Sequence, residues 1–269
     1  MITIEELLNN EPVLPERRVI ARQYLTTGVL EKACRYAELV CDVFDGSYEC
    51  YGFLLKKKQA KDRVARDVLL AQGQCVDAAS VHISGEQVIA AGRYADRHGW
   101  KIIGWWHSHA QGFDTFHSDT DDDNFRTVLN GIAPTNYVTR YHSLLLTADT
   151  TRFKQKGNVL LFYDAEMPKR RLEVNLSQPS GLAFKNARLI LPVRTGYAYS
   201  LVVNALRNKP YSEIGTKEFC NLCGEGEETF FIAPRVLIDE TLPIEKDAMI
   251  REIRRKVRRG NDDRTYEQI

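Results

Sequence analysis

The segment Lys101–Phe125, KIIGWWHSHAQGFDTFHSDTDDDNF, decides the fold. It opens with Ile102–Trp106, a short and mostly apolar run that is typical of a buried strand. His107 and His109 follow this run directly. Because side chains alternate between the two faces of a strand, both imidazoles point to the same side and can meet one ion. The segment therefore predicts a metal site at the end of a buried strand.

The second part of the same segment predicts the start of a helix. Ser118 is typical of an N-cap, Asp121 falls in the first turn, and apolar residues then recur at helical spacing: Phe125, Val128, Leu129 and Ile132. Two neutral imidazoles and one carboxylate leave the fourth position of a tetrahedral zinc ion open for water, which is the arrangement of a catalytic site. We take Asp121 as the carboxylate ligand. Three neighbours stay open as alternatives: Asp119, Asp122 and Asp123.

A carboxylate that could act as a base lies far upstream of this segment. Glu49 begins the apolar, strand-like run that continues to Leu55. A carboxylate is out of place in such a run unless it lies at the strand end or has a partner. We therefore expect Glu49 either at the end of a strand or beside a partner.

Together these residues resemble the motif of the JAMM (MPN-type) zinc metallopeptidases. The resemblance is to a bacterial or archaeal-type member of that family. The family pattern is a distant Glu, then His-x-His, a short loop and Ser-x-x-Asp, and the match covers about residues 24–165. The resemblance implies that Zn²⁺ is held by His107, His109 and Asp121. It implies further that Glu49 is the general acid and base that activates the zinc-bound water, and that Ser118 helps to stabilise the oxyanion.

The loop after the second histidine departs from the family pattern. Eight residues, Ala110–His117, separate His109 from Ser118, where the family usually has seven. With the usual spacing of seven, His117 would fall at the serine position of the motif and Thr120 at the aspartate position. Threonine is a poor zinc ligand. We therefore prefer the register of Ser118 and Asp121. His117 is expected either to contact substrate or to support a ligand from behind.

The resemblance also implies the fold class, which is α/β (α+β mixed). We expect an MPN-like core of the cytidine-deaminase type, with a mixed curved sheet flanked by helices and a C-terminal extension. The expected divisions are an N-terminal arm at 1–22, the catalytic domain at 23–176 and an extension at 177–269 with extra strands and a basic terminal helix. The extra strands could extend the first sheet or form a small second unit.

Local patterns predict individual elements. Thr26 or Thr27 can cap a helix that contains Val29–Cys41, and Ser84 with Gln87 forms a capping box for a helix that reaches His98. That second helix would join a strand within Cys75–Ile83 to the Ile102 strand, so a crossover unit with parallel pairing is expected. Pro243 is expected to open the last helix.

Composition and sequence pattern limit the classes of partner and the cellular location that we expect for the protein. The formal net charge of the 269-residue chain is +1 and charged residues make up 27%, so bulk charge gives no case for nucleic acid. The start lacks a basic segment and no run of about 18 apolar residues occurs, which predicts a cytoplasmic protein without membrane contact. Cys34 and Cys41 are expected in a helix core, and Cys220 with Cys223 could form half a zinc knuckle or a redox pair.

The function that the resemblance implies is hydrolysis of a peptide or isopeptide bond. The expected substrate and partner is a ubiquitin-like protein or its conjugate, cleaved at the C-terminus of that protein. Two alternatives stay open. One is a non-catalytic scaffold of the same fold, and the other is a small-molecule amidase or sulfur-carrier processing enzyme that uses the same zinc site.

Overall fold

A computed structural model of the chain describes residues 20–76, 82–110, 115–147, 151–156, 159–164, 171–175, 186–207, 209–220 and 224–259. The chain divides into two compact units. One contains Val138–Thr195 and Glu218–Glu227, and the other contains Val19–Tyr137, Gly196–Lys217 and Glu228–Ile269. Most of the predicted N-terminal arm lies outside the described residues, and the predicted domain boundaries at residues 22 and 176 stay predictions.

The described residues form helices and strands in mixed order along the chain. The helices are α1 (Thr27–Phe44), α2 (Gly85–Arg97), α3 (Asp119–Ile132) and α4 (Lys246–Lys256). The strands are β1 (Gln23–Thr26), β2 (Tyr51–Lys57), β3 (Val64–Ala65), β4 (Asp67–Leu70), β5 (Gln74–Val76), β6 (Trp100–His109), β7 (Tyr137–Thr147), β8 (Thr151–Lys156), β9 (Val159–Asp164), β10 (Arg171–Asn175), β11 (Asn186–Asn204), β12 (Tyr211–Cys220), β13 (Gly224–Ile232), β14 (Arg235–Ile238) and β15 (Val257–Arg259).

The main sheet has the order β13-β12-β11-β6-β2-β4, and β7 also pairs with β11. β2 runs antiparallel to both β4 and β6, whereas β11 runs parallel to β6. The sheet is therefore mixed, and helices flank it, so the predicted mixed α/β fold class is confirmed. In the unit that contains β8, β9 and β10, these three strands form an antiparallel sheet.

Two adjacent tryptophans show how β6 uses both of its faces. Trp105 stacks on Phe125 of α3, and Trp106 stacks on Tyr36 of α1. Both indoles are fully buried. Since neighbouring side chains of a strand point to opposite faces, α1 and α3 cover opposite sides of the sheet. A strand buried on both faces explains why the run before His107 is almost entirely apolar.

The predicted crossover between the strand before α2 and β6 is wrong. β5 pairs with β15, and the parallel neighbour of β6 is β11. The reason lies in burial, because every residue of the segment 195–204 is buried, whereas Cys75 of β5 is exposed. A central position in the sheet requires a strand with two apolar faces, which β11 supplies. β11, β12 and β13 thus extend the first sheet, which was one of the two open alternatives, whereas β14 pairs with β1 and β15 with β5.

Helix starts agree with the predicted patterns at three of four places, namely Thr26, Ser84 and Ser118. The Thr26 hydroxyl accepts a hydrogen bond from Val29 N, and Ser84 with Gln87 forms the predicted capping box. α4 begins at Lys246 and not at Pro243, with Glu245 as an N-cap residue that makes no side-chain cap bond. Among the described helices, none has the length and apolar character needed to cross a membrane.

The cysteine predictions divide into a confirmed pair and an untested pair. Cys34 and Cys41 lie on the buried side of α1, as predicted. Cys223 lies outside the described residues, so the predicted pair of Cys220 and Cys223 stays a prediction.

Gly104 allows β6 and β11 to approach each other closely. A Cβ atom at Gly104 would lie 2.2 Å from the carbonyl oxygen of Tyr199 on β11, whereas a Cβ at Gly92 of α2 would meet no atom within 4 Å. We predict that Gly104→Ala lowers the free energy of unfolding by about 1–3 kcal/mol through this clash. Gly92→Ala should raise it by about 0.5–1 kcal/mol, because alanine is the better helix former. Urea unfolding measures both, and equal stabilities would contradict the close packing of β6 on β11.

Candidate metal centre

The end of β6 is held by strands on both sides. His107 lies opposite Tyr51 of β2 and opposite Val202 of β11. One residue further, Ser108 N donates to the Cys50 carbonyl at 2.8 Å, and Cys50 N donates to the Ser108 hydroxyl at 3.0 Å. These bonds fix the backbone on either side of each histidine, so the two imidazoles have little freedom to separate.

Three donor atoms converge beside this strand end. His107 Nε2 lies 3.1 Å from His109 Nε2 and 3.2 Å from Asp121 Oδ1. His109 Nε2 lies 3.4 Å from Asp121 Oδ2. The three residues are exposed by only 0%, 9% and 4% respectively. The predicted histidines and the preferred aspartate are therefore brought together in a buried cluster.

The spacing of these atoms fits a zinc ion. Two ligands at about 2.0–2.1 Å from zinc and at the tetrahedral angle are separated by about 3.3 Å. The observed separations of 3.1–3.4 Å agree with that value. Two imidazoles and one carboxylate are also the ligand types found in catalytic zinc sites. His107, His109 and Asp121 can therefore hold one zinc ion.

Asp121 is fixed by the start of α3. Ser118 is the N-cap, and its hydroxyl and backbone N–H donate to Asp121 Oδ2 at 2.7 and 2.8 Å. Asp121 N donates in return to the Ser118 hydroxyl, which completes a capping box. Burial alone raises the pKa of Asp121, but hydrogen bonds with His107 and His109 outweigh it and hold that pKa well below its usual range. The carboxylate is thus ionised and pointed at the histidines.

Burial also sets the charge state of two other groups. It lowers the pKa of His107 to about 4, although the neighbouring Asp121 acts in the opposite direction. The ring is therefore neutral near pH 7, which is the form that binds a metal ion. Burial raises the pKa of Cys50 to about 12, so this thiol stays protonated and is not available as a nucleophile or ligand.

Glu49 lies at the entry to β2, on the same side of the sheet as the two histidines. The antiparallel register pairs Tyr51 with His107, and the Cys50–Ser108 bonds continue it by one residue. One further step places Glu49 opposite His109, and residues opposite each other in such a pair share a face. Glu49 is 8% exposed. The Gln74 amide holds this end of β2 by bonding both Tyr51 N and Tyr51 O.

The alternative aspartates point elsewhere. Asp119 is exposed. Asp122 pairs with His117, and Asp123 pairs with Arg126. Of the four candidates at the start of α3, Asp121 is the one whose carboxylate meets His107 and His109.

His117 lies beside the cluster in a second polar network. Its Nε2 is 2.7 Å from the Ser200 hydroxyl, and its Nδ1 is 2.9 Å from Glu213 Oε2. The sequence analysis did not identify Ser200 or Glu213. No local signal could reveal them, because Ser200 is 83 residues away in the chain.

The remaining histidines show no ligand arrangement where they are described. His98 Nδ1 lies 2.8 Å from the Tyr94 carbonyl, and His82 is exposed. The side chain of His142 lies outside the described residues.

Comparison with known proteins finds a family that matches part of the chain. Residues 44–156 match the family described as prokaryotic homologs of the JAB domain. No curated protein matches the chain. Solved structures that match include the solution structure of a Desulfitobacterium hafniense protein, with 12% identity, a TM-score of 0.37 and coverage of 81% of this chain and 94% of that chain.

The choice of Asp121 can be tested against its exposed neighbour. We predict that Asp121→Ala lowers the zinc content of the purified chain several-fold, because it removes one of three converging donors. Asp119→Ala is the matched control and should leave zinc content unchanged. Zinc per chain is measured by elemental analysis after purification without added metal. Loss of zinc in Asp119→Ala with retention in Asp121→Ala would show that Asp119 is the ligand instead.

Proposed function

We propose that this protein is a zinc-dependent hydrolase of peptide or isopeptide bonds, because the domain at residues 44–156 belongs to the JAMM (MPN-type) family. The observation that carries the proposal is the buried cluster of His107, His109 and Asp121, with donor atoms 3.1–3.4 Å apart. The family includes metallopeptidases, and this cluster supplies the ligands that such chemistry needs.

Zinc at these three residues would supply the Lewis acidity that polarises a carbonyl group and makes water a nucleophile near pH 7. The protein's own part begins with Glu49, two residues before β2, because the register of β2 and β6, continued by the Cys50–Ser108 bonds, puts this residue opposite His109. In the proposed reaction its carboxylate takes the proton of the attacking water and then delivers it to the leaving amine. One carboxylate thus acts first as base and then as acid.

Ser118 has two roles in this proposal: it orients a metal ligand and it stabilises the oxyanion. In the structure its hydroxyl donates to Asp121 Oδ2 and so orients a metal ligand. Ser118 is also exposed, so the hydroxyl can turn toward a substrate and donate to the developing oxyanion. Donors of this kind contribute on the order of 3 kcal/mol to transition-state stabilisation in comparable sites.

We propose a ubiquitin-like protein or its conjugate as the substrate, cleaved at the C-terminus of that protein. The family resemblance supports this choice, and a small-molecule amide or sulfur-carrier precursor remains the alternative substrate. The presence of all three ligand residues together with Glu49 favours a hydrolase over a non-catalytic scaffold, since a scaffold has no use for a buried cluster of metal ligands.

The role of Glu49 gives a direct test. Glu49→Gln should keep the fold and the zinc content but lose at least a hundred-fold in turnover, because the ligands remain and the proton carrier is removed. The assay uses C-terminal fluorogenic amides of a panel of ubiquitin-like proteins. Near-normal turnover in Glu49→Gln would remove Glu49 from the mechanism, and no cleavage of any amide by the zinc-loaded wild type would count against the proposed substrate.

Zinc content also separates the cluster at β6 from the predicted site at Cys220 and Cys223. We expect about one zinc per wild-type chain, lost in His109→Ala and kept in Cys223→Ala, because the cluster at β6 offers a complete set of ligands. Both variants are purified without added metal and measured beside the wild type. Loss of zinc in Cys223→Ala alone would indicate a structural zinc knuckle at Cys220 and Cys223 and would favour the non-catalytic scaffold.

A further inference from the structure

The His117 side chain lies in the interior beside the metal cluster, and both of its ring nitrogens have partners. The side chain is 4% exposed. Its Nδ1 lies 2.9 Å from Glu213 Oε2 and 3.1 Å from Asp122 Oδ1, and its Nε2 lies 2.7 Å from the Ser200 hydroxyl. Tyr211 also donates to Glu213 Oε2, at 3.3 Å. The ring is thus held on two sides, by a carboxylate and by a hydroxyl.

These contacts account for the groups that they bury. Ser200 is fully buried and Glu213 is 8% exposed, so each needs a hydrogen-bond partner. A proton on Nδ1 lets the ring donate to Glu213, while Nε2 lies within hydrogen-bond distance of the Ser200 hydroxyl. Removing the imidazole would leave a buried carboxylate with the Tyr211 hydroxyl alone. The network therefore holds His117 in one place.

His117 connects this network to the metal ligands. It directly precedes Ser118, the N-cap whose hydroxyl and N–H bind Asp121. Its ring centroid lies 5.8 Å from that of His107 and 5.7 Å from that of Phe125 on α3. A shift of His117 would move the N-cap, and the carboxylate that the N-cap orients would move with it.

Two of the three partners of His117, Ser200 and Glu213, lie outside the segment that matches the family, and the third, Asp122, lies inside it. Ser200 belongs to β11 and Glu213 to β12, whereas the family match covers residues 44–156. His117 directly precedes the serine of the motif, in a loop one residue longer than the family pattern. The longer loop and the strands beyond the family match thus meet at the same side chain.

We propose that His117 is a positioning residue for the metal site, held by Glu213 and Ser200 so that Asp121 stays aimed at the two histidines. The inference rests on the proposed zinc site. It gives the strands after residue 186 a direct part in that site, because β11 and β12 supply the groups that hold the loop. Partners that orient a metal ligand typically change metal affinity by about 10- to 100-fold.

A second metal ion is the competing account of the same residues. His117, Asp122 and Glu213 offer three donor atoms within 4.8 Å of one another. The Asp122 side chain is 57% exposed, however, and Nδ1 is already engaged by the better buried Glu213. The positions fit hydrogen bonds without an added ion. We therefore argue for the positioning role, and metal stoichiometry decides between the two.

The test measures the zinc dissociation constant of the full chain by competition with a chromophoric chelator. His117→Ala and Glu213→Ala should each weaken zinc binding by about 10- to 100-fold, although neither removes a ligand. Glu213→Gln keeps an oxygen that accepts from Nδ1, and it should restore the affinity to within about threefold of wild type. The double variant His117→Ala/Glu213→Ala should be no weaker than either single variant, because both act through one contact.

A control separates positioning from general loss of stability. Ile253 is fully buried in α4 and takes no part in the network. Ile253→Ala destabilises the fold, which urea unfolding of the zinc-free chain verifies, and it should leave the zinc dissociation constant within about twofold of wild type.

Three results would overturn the inference. The first is a wild-type dissociation constant in His117→Ala, and the second is an equal loss of affinity in Ile253→Ala. The third is two metal ions per wild-type chain with one lost in Glu213→Ala, which would establish the second metal ion instead. A wild-type chain that binds no zinc would overturn the proposed function together with this inference, whereas the first three results leave the proposed function intact.

Discussion

The antiparallel pairing of β2 with β6 is the constraint on which the rest of the site depends. It brings the start of β2 next to the end of β6. The bonds between Cys50 and Ser108 keep the two strands in register up to Ser108, the residue before the last one of β6. Alternation then places Glu49, His107 and His109 on one face. Burying two imidazoles and a carboxylate is unfavourable unless they are paired, and Asp121 lies within 3.4 Å of Nε2 of both rings. A shift of one residue in this register would turn Glu49 to the other face.

The start of α3 joins the stability of the fold to the geometry of the site. Ser118 and Asp121 form a capping box, which would stabilise the helix start without any metal ion. The same bonds orient the Asp121 carboxylate toward the histidines. A carboxylate in the first turn also interacts favourably with the helix dipole. One pair of residues therefore serves the helix and the cluster, so its structural and chemical roles cannot be separated by inspection of the sequence.

The sequence predicted local features well because local features have local causes. The apolar run before His107, the alternation of the two histidines and the N-cap at Ser118 each depend on neighbours a few residues away. The pairing of strands depends on distant burial, and this is where prediction failed: β11 and not the strand before α2 is the parallel neighbour of β6. Glu213 and Ser200 were missed for the same reason, because only the folded sheet brings them to His117.

X-ray absorption at the zinc edge tests the central claim most directly. The protein is purified without added metal and its spectrum is analysed for the atoms that surround zinc. The account predicts about one zinc per chain with nitrogen and oxygen neighbours at about 2.0–2.2 Å, imidazole scattering and no sulfur. A sulfur shell at about 2.3 Å, or a chain that retains no zinc, would contradict the claim that His107, His109 and Asp121 form the metal centre.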